Sequence, residues 1–139
     1  MRNLSTSLLA SFIFLGLQTT GSLSRASESN CDNLQMNLPI DPQGLPKATI
    51  AAPCELYGGF LESDIQGSPK ICTDLLTKIN QVKKGTGKGF EEIGNAFSLV
   101  VNQSSVNLSE LNSEKVAPTI SLAKMSDILT RWCAFIQMP

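Results

Sequence analysis

The sequence predicts an all-α domain, a small disulfide-stabilised bundle of about four helices behind an irregular proline-rich segment. Three observations carry this expectation. Apolar residues recur at helical spacing from residue 68 to the C-terminus. Prolines crowd residues 39–53, and all four cysteines follow an N-terminal apolar run.

That run reads as an export signal. Arg2 supplies the positive start, and Leu8–Leu17 is apolar but too short to span a bilayer. Ser24-Arg25-Ala26 offers small side chains at the positions a signal peptidase reads, so cleavage is expected after Ala26, with Thr19-Thr20-Gly21 as a second candidate. The expected organisation is residues 1–26 as a removed signal, residues 27–67 as an irregular Pro/Gly-rich wrap, and residues 68–139 as a helical core of the same domain. Loss of Arg2 and Arg25 leaves nine basic residues against twelve acidic ones, a formal charge of −3. A mildly acidic secreted domain has no general attraction for nucleic acid or anionic lipid, and no later apolar run would insert into a membrane.

Cys31, Cys54, Cys72 and Cys133 form an even set in an oxidising compartment, which means two disulfides. Four cysteines allow three pairings. The short loop between them favours Cys54–Cys72, with Cys31–Cys133 tying the N-terminal wrap to the last helix.

Within the wrap, Pro39, Pro42, Pro46 and Pro53 forbid a long helix. Lys47–Ala51 suits extended backbone, and a short helical turn is expected from Pro53 to Gly58. The first long helix is the best punctuated. Ser68 is placed to cap it, Pro69 suits its first position, and Gly85 stops it after Lys83 and Lys84. Ile71, Leu75, Ile79 and Val82 stack on its buried face. A second helix is expected from Gly89, with Glu91 and Glu92 in its first turn and Phe90, Ile93, Phe97 and Val100 as its stripe. A third is expected over Leu108–Val116, with Asn107 and Glu110 as a capping pair. Pro118 opens the last, whose stripe is Leu122, Met125, Leu129, Trp132 and Ile136.

The chain contains no histidine, which removes histidine-based nucleophile pairs and general-base mechanisms, and most zinc and copper sites. No catalytic, cofactor or metal residue is assigned. Gly85-Thr86-Gly87-Lys88-Gly89 lacks the leading glycine and the following hydroxyl of a phosphate loop, so it reads as a linker between helices. Lys83, Lys84 and Lys88 around it read as a solvated helix end. Glu91-Glu92 and Glu62/Asp64 do not converge as a dyad.

Asn102-Gln103-Ser104 and Asn107-Leu108-Ser109 are N-glycosylation acceptors, expected on a solvent-facing loop. Tyr57 and Phe60, flanking Gly58-Gly59, are the candidate interaction surface of the wrap, with the third-helix region as a further one. In size and composition the chain is similar to four-helix cytokines, small secreted ligand carriers and pathogen effectors. It lacks the six-cysteine spacings of saposins and insect odorant-binding proteins. The expected function is non-catalytic, through contact with an extracellular or host protein. The alternatives are a carrier holding an apolar ligand in an inter-helix cavity of about 300 Å3 or more, and an enzyme of unfamiliar type.

Overall fold

A computed structural model describes residues 30–138. The export signal expected over residues 1–26 lies outside the described residues. A 3-10 turn at Asn30–Asn33 leads into β1 (Met36–Asn37), which pairs antiparallel with β2 (Thr49–Ile50). Between them Asp41 folds the proline-rich loop on itself. Its Oδ1 accepts from the amides of Gln43 and Leu45, each at 2.9 Å. Prolines leave few backbone donors here, so a side-chain acceptor organises the turn.

The short helix α1 (Glu55–Phe60) begins after the cis Ala52–Pro53 bond and passes directly into a π-helical turn, Leu61–Ile65. It does not stop at Gly58. That glycine is where α1 presses on β2's neighbour: a Cβ there would meet the Ala48 carbonyl oxygen at 2.5 Å. Its role is close approach, not termination.

Helix α2 (Pro69–Lys84) follows the sequence closely. Ser68 Oγ accepts from the Ile71 amide at 3.2 Å, and Gly85 ends the helix in the left-handed conformation at φ 85°. Its buried residues are Cys72, Leu75, Ile79 and Val82. Ile71, expected among them, is half exposed.

The bundle expectation fails after Gly85. In place of two helices stand β3 (Phe90–Ile93), β4 (Phe97–Val101) and β5 (Ser105–Glu110), completed by β6 (Ile120–Ser121) in an antiparallel sheet of order β3-β4-β5-β6. The loop Gly85–Gly89 therefore joins a helix to a strand. Phe97, Leu99 and Val101 alternate inward with Ser98 and Val100 outward, and Val106 and Leu108 alternate with Ser105, Asn107 and Ser109. That is a period of two, from β-branched, aromatic and small polar residues, which sheets accept and helices disfavour. The spacing of Phe90, Ile93, Phe97 and Val100 mimics a helical stripe, yet Ile93 and Val100 are exposed. The fold is α+β, with three α-helices and two antiparallel sheets among the described residues.

Helix α3 (Leu122–Ile136) starts at Ser121, whose Oγ caps Lys124 N at 3.0 Å, and not at Pro118. It packs on α2 and touches β5 and β6. Leu122, Met125, Ile128, Leu129 and Trp132 are buried. Two large side chains with polar tips sit at the centre, both with no exposed surface. Trp132 Nε1 donates to Gln66 O at 3.0 Å, and Tyr57 Oη donates to Pro118 O at 2.6 Å. Each tip is satisfied, so neither ring costs an unpaired donor.

The disulfides are Cys31–Cys54 and Cys72–Cys133, not the expected Cys54–Cys72 and Cys31–Cys133. Cys72 and Cys133 lie on the buried stripes of two helices that pack together, 5.7 Å apart at Cα. The residues between Cys54 and Cys72 are taken up by α1 and the π turn, which carry the chain away before it reaches α2. Cys31 closes instead on the N-terminus of α1.

Candidate functional site

The four carboxylates singled out in the sequence separate into four structural tasks. Glu62 and Asp64 leave the π turn towards different loops. Glu62 Oε2 accepts from the Ala48 amide at 2.7 Å, with Lys47 at 3.5 Å. Asp64 accepts from the amides of Ala96 at 2.8 Å and Phe97 at 3.1 Å, fastening the β3–β4 turn. The π turn thus clamps the proline-rich hairpin on one side and the main sheet on the other. Glu91 and Glu92 point to opposite faces of β3, as strand neighbours must. Glu91 accepts from Ser98 Oγ at 3.2 Å, and Glu92 pairs with Lys78 Nζ at 2.7 Å.

Beside these groups lies an open groove of about 490 Å3. Phe60 and Ile65 form its floor, Ile71, Asp74, Leu75 and Lys78 of α2 one wall, and β3 with its turn, Glu92–Gly94, the other. Ile71 is 50% exposed and Ile93 68% exposed. Asp64, Asp74 and Glu92 outnumber Lys78 on its lining, so the groove carries a local excess of two negative charges. Lys78 is fixed twice over, by Glu92 and by the Phe90 ring, whose centroid lies 5.4 Å from Nζ. Asp74 is held at 2.8 Å by the exposed Lys70, a surface pair of small energetic weight.

The groove thus has an apolar floor under a charged rim, with walls from a capped helix and a paired strand. Its volume falls within the range of about 300–1,000 Å3 common to ligand sites, but its mouth is open and it lies between a helix and a sheet edge. It is not the inter-helix cavity a carrier was expected to have. Where α2 and α3 pack, Ile79, Met125, Leu129 and Trp132 are wholly buried and the Cys72–Cys133 disulfide joins the two helices.

The sequence candidates fall in different places. Tyr57 is buried and bonded to Pro118, so it cannot be an interaction surface. Burial, and then the nearby charge of Asp32, push its phenol well above the usual tyrosine range. Phe60 is nearly buried, packed edge-on against Phe97 with centroids 6.2 Å apart, and reaches the groove only as its floor. Asn102 is exposed in the β4–β5 turn, where its Oδ1 accepts from the amides of Ser104 at 2.9 Å and Ser105 at 2.8 Å. Asn107 lies within β5, not on a loop, and accepts from Thr119 Oγ1 at 2.7 Å on the outer face. Of the expected third-helix region, Leu108–Glu110 belongs to β5 and Leu108 is fully buried.

Of the groove residues, Ile71 and Ile93 were expected on buried helical stripes and Glu92 in the first turn of a helix, while Asp74 carried no sequence-level flag, so none pointed to a groove. The alternation of residues 97–101 and 105–110 was the signal for a sheet, and hence for an edge. Among the described residues no helix is long and apolar enough to cross a membrane. No protein-family model matches this chain, and no curated protein or solved structure matches it either.

Proposed function

We propose that this chain is a secreted, non-catalytic binding module that engages another protein through the groove between α2 and β3. The observation that carries the reading is the large aliphatic side chain of Ile71, left half exposed on the lining of a formed groove, with Ile93 exposed at its β3 edge. Exposed aliphatic surface beside fixed charges is the anatomy of a protein contact, with an apolar centre and a polar rim. An open, acidic mouth suits a protein segment better than an apolar small molecule, which is best served by enclosure.

Two further features support the reading. The disulfides fit an oxidising compartment, as the N-terminal export pattern expects. The carboxylates near the groove are committed to backbone amides or lysine, which suits a scaffold more than acid–base chemistry. The sequons at Asn102 and Asn107 lie in the β4–β5 turn and on the outer sheet face, so glycans there would leave the groove uncovered.

A photoreactive residue replacing Ile71 tests the proposal. In extracellular fluid it is expected to give one discrete, saturable adduct, while the same reporter at Val100 on the outer sheet face gives none. Equal labelling from both positions, or none from either, would contradict it.

A further inference from the structure

Resting on that reading, we propose that the groove recognises its partner by strand addition, in which an extended segment of alternating basic and apolar residues pairs with the free edge of β3. β3 is the terminal strand of its sheet and, among the described residues, pairs with β4 alone. The amide of Gly94 donates to Phe97 O at 2.9 Å. In an antiparallel ladder the paired positions alternate, so Glu92 and Phe90 share their backbone groups with β4. The N–H and C=O of Glu91 and Ile93 are then directed outward, at the spacing an added strand requires.

The groove tells what such a strand would carry. Glu92 and Phe90 belong to the covered face of the sheet, because their partners Leu99 and Val101 are buried. Residues of an added strand on that face would lie over Ile71 and Leu75 of α2, where apolar side chains are favoured. Those on the opposite face would lie beside Glu91, where a lysine or arginine is favoured. The groove's own excess of negative charge, from Asp64, Asp74 and Glu92, attracts the same basic segment.

A second copy of this chain is the wrong occupant. Antiparallel pairing of β3 with itself joins the outward positions of both copies, so centring the ladder on Glu91 or on Glu92 sets that glutamate directly opposite its own counterpart. Like charges directly opposed disfavour a ladder, and charge on an edge strand is a usual guard against self-association. Glu91 on the outer face and the acidic lining of the groove favour a basic partner instead.

The test uses the oxidised protein and a capped seven-residue peptide alternating lysine and valine. Amide hydrogen exchange followed by NMR is expected to slow at Glu91 and Ile93 by about tenfold or more near saturation, with little change at β5. A peptide alternating glutamate and valine should give no protection. Nor should the lysine–valine peptide when N-methylated at every second residue so that it cannot donate to β3. Binding of the N-methylated peptide as tightly as its parent, or absence of protection at both amides, would overturn strand addition. If the reporter at position 71 still captures a single partner in that case, strand addition fails and the binding-module reading stands. If capture is also lost, both fall.

Discussion

Replacing both Cys72 and Cys133 with alanine opens a loop of 61 residues, and the cost follows from that length. In the chain-entropy model, a cross-link of this span restricts the unfolded chain by about 4.3 kcal/mol at 25 °C, against about 3.4 kcal/mol for the 23-residue span of Cys31–Cys54. The difference, about 0.9 kcal/mol, depends only on the ratio of the two spans and is firmer than either total. Both variants should keep native Trp132 fluorescence in water and lose stability in guanidinium titrations, the α2–α3 variant more. Trp132 is adjacent to Cys133 and wholly buried, so its emission reports the opening of that interface. The pairing has a separate signature. Cys54→Ala should expose one reactive thiol, at Cys31, with Cys72 still oxidised. A free thiol at Cys72 in that variant, or a larger stability loss from the shorter loop, would refute the reasoning.

Three other substitutions probe the scaffold. Tyr57→Phe removes the donor to Pro118 O and should cost about 1–2 kcal/mol, where a surface tyrosine would cost almost nothing. Because the folded state raises the Tyr57 pKa, its contribution is complete below the unfolded value of about 10 and is lost as pH rises beyond it. Alkaline titration of the unfolding midpoint should therefore show a smaller decline in Tyr57→Phe than in the parent; equal declines would assign the loss to other groups. Gly58→Ala would gain about 1 kcal/mol from helix propensity, but its Cβ meets the Ala48 carbonyl. Overpacking of about 1–3 kcal/mol should make the change destabilising overall in thermal unfolding, and a raised midpoint would contradict the contact. Asp64→Ala leaves the amides of Ala96 and Phe97 without their acceptor and should speed hydrogen exchange in the β3–β4 turn while leaving α3 protected.

The helices that could be read from sequence are those with chemical punctuation. α2 has Ser68, Pro69 and Gly85 at its ends, and α3 has a stripe anchored by Trp132, so local residues alone define them. The sheet was hidden because Phe90, Ile93, Phe97 and Val100 fall at intervals of three and four, which a helix also uses. The deciding residues were the small ones between: Ser98, Ser105, Asn107 and Ser109 mark an outward face of period two. The disulfide pairing depended on which helical faces meet, a non-local fact that loop length does not encode. Tyr57 looked like surface because it stands in a glycine-rich stretch, yet Gly58 is there to let α1 approach the hairpin, which buries its neighbour. The groove was the least legible part. Ile71 occupies a core-like position in the α2 pattern yet is half exposed, facing a groove whose other wall is β3, the terminal strand of the sheet.

The most direct measurement is the affinity of the captured partner for the parent protein and for Ile71→Asp, each purified oxidised and compared for unfolding midpoint. Ile71 is half exposed, so the substitution should leave the fold intact. It should weaken binding by about tenfold or more by placing a charge on the α2 wall of the groove, where an apolar side chain stands. Equal affinity in two equally stable proteins would contradict the account.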